Sequence, residues 1–404
     1  MKRIFESLAG FAALIVLVSM FPYINGCKNE VTSSLYDSNQ KFLPNPVVDS
    51  LSPSGSALAG IDTVTIYGKN FSANLQQEVV FFNSTIVPII SGSPNQIIIK
   101  APALPGDSIN VKVAVTGALL YSPSVVYKLI AAISQFGSLG TTEATYGICA
   151  GADSFLYASV SHNGTNEGIF RMTVSGSTAY APATSGLINW NGLKFGSSGY
   201  LYGARQQKAI YRFAPGGGAS AQVWAAAPSG SFFDLDFDAN HNLWVGGSGG
   251  NIYRIMPDKS VKGYPFPGNI QSVRCYDGYL YFAANIGTAA SKVYRSLIVN
   301  DSLTTPEVYF DLSSDPTGGS TIYSITFSAG GNMYAGTDSS DYLIVVHPDG
   351  SIEKPYSLLV ASGVLNSPVR SFAWIGTNLY ATTSSGKLLE IVVRKQGAPY
   401  YGIQ

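Results

Sequence analysis

The stretch NHNLWVGGSGGNIYRI, Asn240–Ile255, holds a glycine cluster, one of three histidines and one of four tryptophans. A phosphate loop would need G-x-x-x-x-G-K ahead of a helix, and this stretch has neither. Strand alternation fits it better. Leu243-Trp244-Val245 reads as one strand, Gly246–Gly250 as a tight hairpin and Ile252-Tyr253-Arg254 as the next strand. The glycines then supply the positive φ that a hairpin needs, and His241 belongs to the preceding turn.

The same phrase recurs on either side. It runs as an apolar pair two residues apart, a turn, Leu-aromatic, a gap, and an apolar-aromatic-basic step. The six copies are GICAGADSFLYA…GIFR, GLKFGSSGYLYG…AIYR, DLDFDANHNLWV…NIYR, SVRCYDGYLYFA…KVYR, SITFSAGGNMYA…YLIVV and SFAWIGTNLYAT…KLLEI. Their anchors, Leu156, Leu201, Leu243, Leu280, Met333 and Leu379, are 45, 42, 37, 53 and 46 residues apart. Repeats of about 40–50 residues signal β-propeller blades. Weaker fourth strands follow as STAYAPA, AQVWAA, VKGYPF, EVYFDL and PYSLLV. The sixth copy lacks one, and ISQFGS (Ile133–Ser138) ahead of the first copy is expected to complete it and close the ring. From about Ile130 to Gln404 the chain resembles the NHL-type and SMP-30-like six-bladed propellers.

Aligning the six inner strands places candidate site residues. The apolar pairs are Ile148/Ala150, Leu193/Phe195, Leu235/Phe237, Val273/Cys275, Ile325/Phe327 and Phe372/Trp374. Strand side chains alternate faces, so the residues between the pairs point the other way. In blades two to four these are Lys194, Asp236 and Arg274, which predicts a channel charge ladder with an ionised Asp236 between two cations. Such ladders also serve simply to fix blade packing. Cys149 and Cys275 fall in blades one and four with opposite parity, too far apart for a disulfide, so two free buried thiols are expected. Just before the inner strands stand Tyr146, Asn191, Phe233, Gln271, Tyr323 and Arg370. With Trp190 and Phe232 beside them and Asp234 on the inner strand, they form a candidate mouth. Aromatic faces and amides suit sugars or peptide segments.

Metal chemistry is weakly signalled. Asp234–Asn242 begins D-x-D-x-D, but an EF-hand loop wants Gly sixth and Glu twelfth, where this chain has Ala239 and Val245. The Asp311–Ser320 loop reads as a solvated blade connection. His162, His241 and His347 lie in different turns without zinc spacing, and no G-x-S-x-G elbow occurs. The SMP-30 resemblance implies a cation held by acidic and amide side chains at the channel mouth. Asn191 matches one such ligand, while the acidic partners have no counterpart. No cofactor and no catalytic residue is expected, with a structural Ca2+ left open.

The amino terminus reads MKRIFESLAGFAALIVLVSMFPYINGCKNE. Lys2 and Arg3 precede an apolar run, Leu8 to Met20, of signal-peptide rather than membrane-spanning length. Ile24-Asn25-Gly26-Cys27 resembles a bacterial lipobox, which implies cleavage after Gly26 and lipidation of Cys27. Residues 1–26 are then a signal peptide and 27–44 a flexible tether. Lys28 after the cysteine implies an outer-membrane lipoprotein on its periplasmic or cell-surface face, with the membrane as partner through the lipid anchor.

Between tether and propeller, residues 45–129 show short alternating runs at Thr63–Tyr67, Val79–Phe82, Gln96–Lys100 and Ile109–Val115, punctuated by turn residues. This is a sandwich pattern. The phrases SLSPSG, VTIYGKNF, VVFFN, IIIKAP and INVKVAV resemble the IPT/TIG immunoglobulin-like domains, whose members act as spacers or binding modules. The fold class expected for the chain is therefore all-β, a small Ig-like sandwich followed by a six-bladed propeller.

Composition agrees. Hydrophobic residues make up 46% and charged residues 12%, and Lys+Arg equals Asp+Glu at 24 each. That balance gives no field to attract nucleic acid. The expected function is a lipid-anchored binding or scaffold protein. Its propeller takes a glycan or protein ligand and the IPT/TIG domain acts as spacer. The alternative is a propeller enzyme, a metal-dependent lactonase-like hydrolase or a polysaccharide lyase.

Overall fold

The structure is a computed structural model and describes residues 41–183, 188–315 and 318–403. The expected signal peptide, Cys27 and most of the expected tether lie outside the described residues. Lys41–Pro44 and Gly117–Leu119 belong to a small unit of their own, in which Leu43 bridges Ala118 in parallel and its N–H donates to Gly117 O at 2.7 Å. The end of the expected tether is therefore backbone-paired.

The second unit begins with a β-sandwich. One sheet orders Val47–Ser52, Thr63–Lys69, Gln96–Lys100 and Ile89–Ser93. The other orders Ser56–Leu58, Val125–Ile130, Gly106–Val115, Glu78–Phe82 and Thr85–Val87. Alternation sets which faces meet. Val64, Ile66, Ile97 and Ile99 from the first sheet and Val80, Phe82, Val111 and Val113 from the second are all at 0% exposure. All four runs expected from sequence are strands. The short Ser56–Leu58 strand, paired in parallel with Val125–Ile130, carries too few residues to show a period.

From Ile133 onward six sheets of antiparallel strands follow among the described residues. Their inner strands are Glu143–Ala150, Gly192–Phe195, Ser231–Phe237, Asn269–Tyr276, Ile322–Phe327 and Val369–Ile375. The ring closes as the sequence reading expected. Ile133–Gln135 pairs antiparallel with Leu388–Val392 as the outer strand of blade six, aligning Ile133 with Ile391. Closure removes a free edge and ties the first strand of the propeller to its last. Cys149 and Cys275 are free and buried.

Two local readings need correction. PYSLLV is not the fourth strand of blade five. That strand is the two-residue Ile352–Glu353, and Ser357–Ala361 forms a short helix. Leu359 on this helix shares a core with Leu58 of the sandwich and Leu365, which favours a compact turn carrying one apolar anchor. The hairpin at Gly246–Gly250 is also shorter than expected. The strand runs Leu243–Ser248, and only Gly249 and Gly250 turn, with φ of 113° and 80°. Gly246 and Gly247 are required by close approach instead. A Cβ would stand 2.5 Å from Ile270 Cγ2 at the first and 1.9 Å from Ser231 O at the second.

Candidate functional site

Five of the six inner strands are bulged near their start. Pairing with the second strand slips between Thr145 and Ile148, Phe232 and Asp234, Ile270 and Ser272, Ile322 and Ser324, and Val369 and Ser371. Inside these slips sit Tyr146, Phe233, Gln271, Tyr323 and Arg370. A bulge leaves its extra residue out of the ladder and re-aims the side chain. In blade two the inner strand is regular, and Asn191 stands one residue before it, with its N–H on Ala204 O at 2.9 Å. These six residues all line one cup of about 570 Å3. The structure thus brings together the six residues that the sequence alignment put at one level, although most lie within the strands rather than ahead of them.

Trp190 and Phe232 are not part of the mouth. Both are at 0% exposure, because each precedes a mouth residue and strand alternation turns it into the space between blades. Trp190 packs edge-on against Tyr211 and Phe213 with centroids 5.3 and 5.1 Å away, and Phe232 packs against Tyr253 at 5.7 Å.

Asp234 does line the cup, but its oxygens are engaged. They accept from Ser272 Oγ at 2.8 Å, the Val273 N–H at 3.0 Å and the Leu235 N–H at 2.9 Å. Burial raises its pKa above the usual carboxylate value, although the Lys194 charge and these donors pull the other way. It stitches blade three to blade four.

The charge ladder forms only in part. Arg274 Nη1 donates to Asp236 Oδ2 at 2.8 Å with both side chains sealed, and the Cys275 N–H donates to the same oxygen at 2.9 Å. Lys194 stays outside this pair. Among the described residues it has no hydrogen-bond or ion-pair partner, only the Tyr400 ring 5.6 Å away. Burial opposes its charge, yet the fields of Asp234 and Asp236 outweigh that and raise its pKa. Lys194 and Arg274 line the cup, whereas Asp236 lines a small void beneath it.

The floor of the cup was not anticipated. After the last strand the chain crosses under the ring. The Ala398 N–H donates to Phe327 O at 2.9 Å, and a Cβ on Gly402 would stand 2.0 Å from Phe195 O. Tyr400 rises into the channel, its hydroxyl accepting from the Trp374 N–H at 3.2 Å. Arg274 holds this segment by donating to Ala398 O and Pro399 O at 3.2 and 2.8 Å, its guanidinium 4.2 Å from the centre of the Tyr400 ring. The cup is therefore closed below. The signal lay in GAPYYGI (Gly397–Ile403), an aromatic, glycine-bearing run left over after the sixth repeat.

The residues present do not fit a lactonase-type cation centre. Asp234 is the one carboxylate among the residues lining the cup. No group of three or more His, Cys, Asp or Glu among the described residues is placed to hold a metal ion. In the D-x-D-x-D segment the carboxylates diverge. Asp234 and Asp236 face blade four, and Asp238 accepts from Trp244 Nε1 at 2.7 Å and from the Asn240 and Asn242 N–H groups at 2.9 Å each.

Sandwich and propeller together define the class of chain, and comparison with known proteins agrees. Residues 46–128 match the IPT/TIG domain family. No curated protein sequence matches the chain. Among solved structures, the fold is similar to a putative phosphatase from Bacteroides thetaiotaomicron, with 11% identity, a TM-score of 0.54, and coverage of 86% of this chain and 97% of that one. It is also similar to an auxiliary nutrient binding protein from the same organism, at 9% identity, a TM-score of 0.50, and coverage of 88% and 98%. A putative gluconolactonase is similar at 16% identity and a TM-score of 0.50, covering 66% of this chain and 94% of that one. At these identities the likeness is one of fold.

Proposed function

We propose that the chain is a lipid-anchored extracytoplasmic binding protein at the outer membrane. Its propeller cup takes a glycan or a protein segment, and the IPT/TIG sandwich spaces that cup from the anchor. The observation that carries this reading is the cup itself, a dead-end cavity of about 570 Å3 ringed by Tyr146, Asn191, Phe233, Gln271, Tyr323 and Arg370. Aromatic faces and amides converging on a concave site are what a polar, ring-bearing ligand needs. The fold likeness to an auxiliary nutrient binding protein is in keeping with it. The test is to screen the full chain carrying Cys27→Ser on glycan and surface-protein arrays. A parallel screen uses Asn191→Trp, which fills the mouth. Specific binding that the tryptophan abolishes is expected. Empty arrays, or hits indifferent to the tryptophan, would remove the cup from the function.

A further inference from the structure

The cup contains charged groups that the fold does not use. Four charged side chains line it: Lys194, Asp234, Arg274 and Arg370. Asp234 is held by three donors. Arg274 is held by Asp236 and the floor carbonyls. The other two have donors to spare. Lys194 is nine-tenths buried at 9% exposure, and its ammonium has no acceptor among the described residues. Arg370 lies flat on Tyr323, 3.7 Å from the ring centre, and its Nε donates to Ser384 Oγ at 2.7 Å. That grip fixes the guanidinium plane while its terminal nitrogens have no acceptor among the described residues.

The Lys194 side chain is nine-tenths buried, while its ammonium is not sealed and opens to the cup. An ammonium at the end of a largely buried stem gains from an anionic acceptor that displaces cup water. A lysine on a regular inner strand, opening into a closed cup, is placed to receive its acceptor from a ligand. The charge balance narrows that ligand further. Lys194, Arg274 and Arg370 stand against Asp234 in the cup and Asp236 just beneath it, so floor and rim together carry about one net positive charge. A monoanion matches it, whereas a phosphate dianion would meet the repulsion of Asp234. On the reading that the cup binds a glycan, we infer that this glycan is acidic. Its carboxylate pairs with Lys194 at depth and Arg370 steers it from the rim.

The test is calorimetry on the full chain carrying Cys27→Ser. The titrants are glucuronate-, galacturonate- and mannuronate-containing disaccharides, their matched neutral disaccharides, and glucose 6-phosphate. The expected result is binding of a uronate roughly tenfold or more tighter than its neutral partner, with Lys194→Met erasing the preference and Lys194→Arg keeping most of it. Equal binding of acidic and neutral sugars, unmoved by Lys194→Met, would overturn the acidic assignment and leave the glycan cup standing. Tighter binding of the sugar phosphate would overturn the carboxylate. No binding of any sugar would remove the glycan reading and this inference together. Should Lys194→Met fail to fold, Arg370→Gln at the exposed rim carries the same comparison. A loss of about threefold confined to the uronate is expected, and no loss would count against the inference.

Discussion

At the residue scale, the sealed Arg274–Asp236 pair links three parts of the propeller. Asp236 comes from blade three and Arg274 from blade four, and the guanidinium reaches on to the floor carbonyls of Ala398 and Pro399. Removing one partner of such a pair leaves the other charge buried without compensation. Asp236→Asn is therefore expected to destabilise the chain by about 3–5 kcal/mol, and the double change Asp236→Leu with Arg274→Met by less. Chemical denaturation of the parent chain and the two variants measures this. The strand glycines make a second comparison. Gly247→Ala puts a Cβ 1.9 Å from Ser231 O, whereas Gly250 has a φ of 80° and open space around it. The first change should cost about 2–4 kcal/mol and the second about 1 kcal/mol, read from denaturation midpoints. Equal costs would mean that both glycines serve only the turn.

At the scale of elements, closure depends on three residues. Ile133 is 5% exposed and pairs with Ile391. A charge there has no partner and parts the outer strand from blade six. Ile133→Asp should cost about 3 kcal/mol, and hydrogen exchange should show Leu388–Val392 losing protection before the other blades. This closure was legible because ISQFGS keeps the strand pattern and the sixth repeat is one strand short. Blade five was misread because Ile352–Glu353 is too short for a period, while PYSLLV is apolar enough to imitate a strand. The glycines of NHNLWVGGSGGNIYRI were half legible. Turn chemistry accounts for Gly249 and Gly250, but the approach of Ile270 and Ser231 to Gly246 and Gly247 is a tertiary fact. The bulges were hidden for a similar reason. A bulge shifts the alternation by one residue, so Tyr146, Phe233, Gln271, Tyr323 and Arg370 look as if they precede their strands.

At the scale of the whole molecule, six repeats give a ring and the run after them gives it a floor. The rim was readable, since a residue common to six aligned strands shares one level of the channel. The same alignment placed Trp190 and Phe232 too near the mouth, because one step along a strand exchanges cup for core. The floor was not readable, because GAPYYGI belongs to no repeat and Tyr400 gains its place only when the ring is closed. A cup with an open rim and a closed floor is the feature on which the proposed binding role rests. The most direct test is calorimetric titration of the strongest array ligand into the full chain and into Asn191→Trp, with melting temperatures recorded for both. One ligand per chain is expected, with affinity falling roughly a hundredfold or more in the variant at unchanged melting temperature. Undiminished affinity in a folded Asn191→Trp would contradict the cup as the binding site.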